Sequence, residues 1–230
     1  MRDPLTLAVA QPLSISHDVE SNAAEHARLV RAAGARVVVF PELSLTGYEL
    51  DAEPIAPGDP RLRPIVAACV ETGALALAGA PVPGPHIGLF AIDGAGVSVA
   101  YRKMNLGGPE PGYFRPGEAP AVVEVDGFRL GLAICKDTGV PAHAADTAAL
   151  GIDAYVAATA KLMTEGDVQD ERAHRIATEH GVWVAVASFA GSTGGGFDPA
   201  SGRSSIRAAD GTVLARAGTG PGEFVRAAIG

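Results

Sequence analysis

The feature that most constrains this chain is a series of short apolar runs separated by helix-length segments. Leu5–Ala10, Arg36–Phe40, Ala74–Gly79, Phe128–Ile134, Asp153–Ala157 and Val182–Ser188 are each five to seven residues long. They are close to continuously apolar, which is the pattern of strands covered on both faces. Between them lie helical periods. In Asp18–Ala33 the residues Ala24, Ala27, Val30 and Ala33 share a face, and Gly34 ends the segment. Pro60–Thr72 precedes Gly73, Pro141–Leu150 opens on Pro and precedes Gly151, and Asp167–His180 is the fourth. Strand, helix, strand in this order predicts βαβ units. Three Asp-Gly signals predict hairpins as well: Ile87–Ile92 with Val97–Tyr101, Val122–Val125 with Phe128–Ile134, and Ser204–Ala208 with Thr212–Ala217. Glu223–Ile229 reads as a last strand, Leu106–Pro120 as loop, and Gly191–Gly202 as a flexible loop. The combination predicts mixed sheets with helices outside, in a single domain over residues 1–230, since no linker or repeat divides the chain.

Composition narrows the function classes. Hydrophobic residues make up 47%, enough apolar surface to offset the entropy of ordering. The formal charge is −8, and no Lys/Arg block occurs, so nucleic acid is not an expected partner. No apolar stretch is long enough for a membrane helix. Met1-Arg2-Asp3-Pro4 is followed by no small-residue cleavage site, so a secretory signal is not expected. Two cysteines, Cys69 and Cys135, are too few for a disulfide framework, and a cytoplasmic location is the simplest expectation. The six histidines show no metal-binding spacing, so no metal or other cofactor is expected. Gly194-Gly195-Gly196 lacks a phosphate-loop context, and no Gly-x-Ser-x-Gly elbow occurs.

Chemistry-bearing residues that directly follow strands in an α/β fold often face a ligand crevice. Three stand out. Glu42 lies in Phe40-Pro41-Glu42-Leu43-Ser44-Leu45-Thr46-Gly47-Tyr48, Lys103 in Tyr101-Arg102-Lys103, and Cys135 in Gly131-Leu132-Ala133-Ile134-Cys135-Lys136-Asp137. Each alone has a bland reading: a solvated loop acid, a surface Lys, and a small buried hydrophobe. Cys69, on an apolar helix, reads as inert core.

Together, in this order and with these flanks, the three blocks resemble the nitrilase-like carbon–nitrogen hydrolase superfamily over nearly the whole chain. The resemblance implies a four-layer α/β/β/α sandwich with two mixed β-sheets and a homodimer or larger homo-oligomer. It also implies a Glu-Lys-Cys site acting on a small-molecule substrate. Cys135 would be the nucleophile that forms a thioester. Glu42 would be the general base. Lys103, with the backbone N–H of Lys136, would face the oxyanion. Glu110 lies seven residues before the Gly of Phe114-Arg115-Pro116-Gly117, where family members carry a Glu that holds the lysine.

The chain departs from the family beside the site. Lys136 and Lys161 stand where aromatic residues are common, which suggests a substrate bearing a carboxylate. The alternative is that either Lys pairs with an internal acid such as Asp137 or Glu165, or points to solvent. The expected function is hydrolysis of a small linear amide with release of ammonia. The alternatives are an N-carbamoyl hydrolase with the same triad and a catalytically silent binding module of the same fold.

Overall fold

A computed structural model describes residues 2–194 and 196–230; Met1 of the N-terminal segment and Gly195 of the triple-glycine stretch lie outside the described residues. The near-continuous apolar runs become the parallel centres of two sheets. In the first, β1 (Leu5–Gln11), β2 (Val37–Val39) and β3 (Leu75–Val82) are parallel neighbours. The hairpin β4 (His86–Asp93) and β5 (Gly96–Arg102) extends it. The second is built from β6 (Val122–Val125), β7 (Phe128–Ile134), β8 (Ala154–Thr159) and β9 (Trp183–Ser188), the last three parallel. A short pair, β10 (Ala190–Gly191) and β11 (Ala200–Ser201), follows. Then β12 (Ser205–Arg207) and β13 (Val213–Arg216) complete the second sheet, and β14 (Glu223–Ile229) returns to β1. Among the described residues each sheet has six strands, in the orders β14-β1-β2-β3-β4-β5 and β13-β12-β9-β8-β7-β6.

Side-chain alternation makes the layers. Leu7, Val9, Val37 and Val39 point from the first sheet into one core, where they meet Leu132, Ile134, Val156 and Ala185 of the second. The intervening Ala8, Val38 and Ala76 face outward onto α1 (Val19–Ala33) and α2 (Arg63–Thr72). Ala133, Tyr155 and Val184 face outward onto α3 (Pro141–Ala148) and α4 (Gly166–His180). Small residues on the strand faces let the helices approach closely. The result is the four-layer α/β/β/α sandwich.

The Asp126-Gly127 hairpin forms as read: both residues have positive φ, +50° and +80°, the geometry of a tight two-residue turn. Differences lie at edges. The strand read over Arg36–Phe40 narrows to β2, although the Phe40 N–H still bonds the Leu77 carbonyl. The third helix closes at Ala148 rather than Leu150. Gly191–Gly202, read as loop throughout, is tied at its ends by the β10–β11 pair. Glu110–Gly112, inside the loop read over 106–120, makes one 3-10 turn.

One ion cluster clamps α4 to the second sheet. Asp170 accepts from Arg203, from Arg207 at 3.0 Å and from Arg216 at 2.5 Å. Asp170 and Arg207 are largely buried, while the other two arginines are about one-third exposed. Asp170→Asn should therefore lower unfolding free energy by about 2–3 kcal/mol, between the surface and buried limits for such pairs. Urea denaturation checks this; a loss under about 0.5 kcal/mol would show the cluster to be a solvated surface network.

Candidate active site

The three strand-following residues come from both sheets and converge. Glu42 follows β2 in a turn that packs directly on β3. A Cβ on Gly79 would lie 2.3 Å from the Pro41 carbonyl oxygen and 2.5 Å from the Leu43 nitrogen, so only glycine permits the approach. Lys103 follows β5, and its carbonyl accepts from the Gly117 N–H at 2.7 Å. Cys135 follows β7 and adopts φ +42°, a left-handed conformation that is strained for a residue with a side chain. It opens a short 3-10 turn, Cys135–Gly139, and the Thr138 hydroxyl bonds the Cys135 carbonyl at 2.7 Å.

Lys103 is 1% exposed, and its ammonium donates to Glu42 Oε1 at 2.6 Å and to Glu110 Oε1 and Oε2 at 2.6 and 2.8 Å. Glu110 is further held by the Tyr48 hydroxyl at 2.5 Å and the Gly107 N–H at 2.7 Å. Glu42 has no such support. Its Oε2 is buried and has no hydrogen-bond partner among the described residues. Two acids thus compete for one ammonium, and Glu42 is the less satisfied. Burial pushes its carboxyl up to about 7, with Lys103 pulling against the shift and Glu110 adding to it. Burial also works against the Lys103 charge, but Glu42, Cys135 and Glu110 outweigh it and hold the ammonium above its usual range.

The Cys135 thiol donates to the Ala160 carbonyl at 3.3 Å and faces Glu42 closely enough for each to shift the other's ionisation. Burial pushes the thiol up to about 11 and Glu42 adds to that; Lys103 and Lys161 pull the other way without prevailing. The thiol keeps its proton and lies beside a buried carboxylate able to take it. Cys69 is also pushed up to about 11 by burial, but its thiol donates to the Ile92 carbonyl at 3.4 Å on the first sheet's helical side. What separates the two cysteines is the neighbouring carboxylate of Glu42.

Cys135 opens on a cavity of about 330 Å³ lined also by Tyr48, Lys136, Lys161, Glu165 and Phe197. Phe197 stacks edge-on against Tyr48 with ring centroids 4.5 Å apart. Both departures from the aromatic pattern, Lys136 and Lys161, thus face the same space as the thiol. Lys161 lies 3.7 Å from Glu165, the pairing weighed from the sequence. No lysine pairs with Asp137 among the described residues; its hydrogen bonds come from Tyr101, Asn105 and Ile134, and His143 Nε2 lies 3.9 Å from its Oδ2. Sequence reasoning named Tyr48 and Tyr101 only as motif flanks. It missed Phe197, Asn105 and His143, which carry no local signal.

Comparison with known proteins places this geometry. The carbon–nitrogen hydrolase family model matches residues 6–229. A curated relative described as "Hydrolase in pqqF 5'region", from Pseudomonas protegens, is 30% identical over 95% of this chain and 79% of its own length. Among solved structures, an acrylamide adduct of a Glu-to-Gln mutant of the Nesterenkonia sp. AN1 amidase superposes with a TM-score of 0.82. It is 25% identical and covers 96% of this chain and 92% of that one; acrylamide has added to its active-site cysteine. Saccharomyces cerevisiae Nit3, of the nitrilase superfamily, has a TM-score of 0.85 at 21% identity, covering 98% and 89%. With the family model spanning almost the full chain and the fold shared with both structures, the chain belongs to the carbon–nitrogen hydrolase family.

Proposed function

We propose that this protein hydrolyses a small linear amide through a thioester on Cys135, releasing ammonia. One arrangement carries the reading: the Cys135 thiol, donating to the Ala160 carbonyl, lies beside a buried carboxylate, Glu42, whose second oxygen has no partner among the described residues and whose first is held by Lys103. Glu42 takes the thiol proton as Cys135 Sγ attacks the amide carbon. The carbonyl oxygen becomes an oxyanion facing the Lys103 ammonium and the backbone N–H of Lys136. Glu42 then returns the proton to nitrogen, the C–N bond breaks, and ammonia leaves an acyl-thioester. A water gives its proton to Glu42 and its oxygen to the acyl carbon. The C–S bond breaks, the sulfur regains the proton, and a carboxylic acid is released. Glu110 stays out of proton transfer because four hydrogen-bond contacts engage it.

The Nesterenkonia relative is an amidase with a reactive cysteine, which supports the amide reading. Lys136 and Lys161 on the cavity wall favour an acyl group that carries a carboxylate. Lys161 lies 3.7 Å from Glu165, which is the alternative pairing, so the carboxylate reading leans on Lys136, an exposed residue of the cavity wall that makes no ion pair among the described residues. The test is an ammonia-release panel of small amides and carbamoyl compounds, with and without a carboxylate. Wild type should release ammonia from carboxylate-bearing amides most efficiently, and Cys135→Ala should release none. Lys136→Met should raise KM for the charged amide about tenfold, equivalent to about 1.4 kcal/mol, and leave the neutral one unchanged. Equal effects on both would sink the carboxylate assignment, and a fully active Cys135→Ala would sink the thioester route.

A further inference from the structure

Asp137 is fully buried, yet no Lys or Arg pairs with it among the described residues. Its carboxylate instead collects four neutral donors. Oδ2 accepts from the Ile134 N–H at 2.9 Å and from the Tyr101 hydroxyl at 2.8 Å. Oδ1 accepts from the Asn105 N–H and side-chain amide, both at 2.9 Å. The origin of these donors is the informative part. Ile134 directly precedes Cys135, and Tyr101 and Asn105 stand two residues before and two after Lys103. The cysteine segment belongs to the second sheet and the lysine segment to the first. One side chain therefore bridges the two sheets where the nucleophile and the ammonium must meet.

The bridge extends inward with a fixed direction. A carboxylate only accepts, so the Tyr101 proton points to Asp137. The Tyr101 oxygen must then accept from His143 Nε2–H at 2.8 Å, and His143 Nδ1 accepts from the Tyr155 hydroxyl at 3.0 Å. Burial holds His143 below the usual imidazole range, consistent with a neutral ring carrying its single proton on Nε2. Every member is satisfied, so the chain has one hydrogen-bonded arrangement. Tyr155 sits on β8, beneath α3 and α4, so the outer helical layer is linked to the turn that holds Cys135 at φ +42°.

We infer that Asp137 is a positioning residue. By bridging the Cys135 turn to the Lys103 segment, it sets the placement of sulfur against Glu42 and the ammonium. The inference rests on the amide-hydrolysis reading above, and it concerns kcat rather than substrate affinity. Displacing a reacting group by about 1 Å costs on the order of 10²-fold in rate.

The experiment compares purified Asp137→Asn, Tyr101→Phe and Asp170→Asn with wild type. Asn in place of Asp137 turns one acceptor into a donor that faces Asn105 or Tyr101 and Ile134. Tyr101→Phe removes one strut without changing charge. Asp170→Asn weakens the fold away from the site and serves as the stability control. Thermal unfolding, kcat and KM on the best amide, and the iodoacetamide alkylation rate of Cys135 are measured on folded protein.

The expected result is a fall in kcat of about 10²-fold for Asp137→Asn and about tenfold for Tyr101→Phe, with KM within about threefold of wild type. Cys135 alkylation should slow in the same order, while Asp170→Asn keeps wild-type kcat. Activity of Asp137→Asn and Tyr101→Phe within threefold of wild type would overturn the inference. So would losses no larger than those of Asp170→Asn at equal melting temperature. If Asp137→Asn does not fold, Tyr101→Phe decides by the same two measures. Failure of the hydrolysis reading itself would appear separately, as an inactive wild type or an active Cys135→Ala.

Discussion

Glu42→Gln should lower kcat/KM by about 10³-fold, within the range for removing a general base, and should abolish the acid limb of the pH–rate profile. On the proposed route the reactive form needs an ionised Glu42 beside a protonated thiol. Because burial pushes this carboxyl up to about 7, wild-type kcat/KM should rise with pH through about 7, where an ordinary glutamate would give a limb near 4.5. The same shift has a consequence for stability. Between 4.5 and about 7 the folded protein binds this proton more tightly than the unfolded chain does. The group's contribution to stability is therefore full below 4.5 and is lost as pH rises through about 7. Lys103, held above its usual range, keeps its charge throughout that window. Glu42→Gln removes the titration, so its melting temperature should fall less between pH 5 and pH 8 than that of wild type. Differential scanning calorimetry and initial rates across pH 5–9 check both halves. A variant with near-wild-type turnover, or with the same acid limb, would show that Glu42 is not the base.

The layers were legible in the sequence because burial on both faces leaves a local mark. Val37–Val39 and Leu130–Ile134 are apolar at every position because successive side chains enter different cores. The Asp126-Gly127 turn was legible because positive φ at two adjacent positions selects those residue types. Glu42, Lys103, Cys135 and Glu110, which the fold brings together, were legible as candidates through a resemblance; local physics alone left each with a bland alternative. What stayed hidden depends on how the two sheets meet. Nothing near position 137 says that its carboxylate will find Asn105 and Tyr101 on the other sheet. The raised thiol was hidden too, because the cost of burying Cys135 and the nearness of Glu42 outweigh the lysines only once the fold is formed. Strand ends moved by one to three residues where hydrogen bonding continued past, or stopped short of, the apolar run, as at Gln11 and Val82.

Lys103→Met should be the most destabilising single change at the site, by about 3–5 kcal/mol at pH 8, because it leaves buried carboxylates without their cation. The two acids do not lose equally. Glu110 keeps the Tyr48 hydroxyl and the Gly107 N–H. Among the described residues Glu42 loses its one hydrogen-bond donor to Oε1 and has none on Oε2. It must then hold its proton to higher pH than in wild type. The penalty should accordingly be largest at pH 8 and shrink towards pH 5, where a protonated Glu42 needs no cation. Adding Glu42→Gln to Lys103→Met should recover about 1–3 kcal/mol at pH 8 and little at pH 5, the non-additivity expected of residues in one network. On the proposed route both variants should be inactive, since neither retains the ammonium assigned to the oxyanion. Urea unfolding of wild type, the two single variants and the double variant at both pH values gives the coupling directly. A Lys103→Met penalty that does not change with pH, or a double variant no more stable than Lys103→Met, would mean that Glu42 is not the acid whose charge the ammonium holds in place.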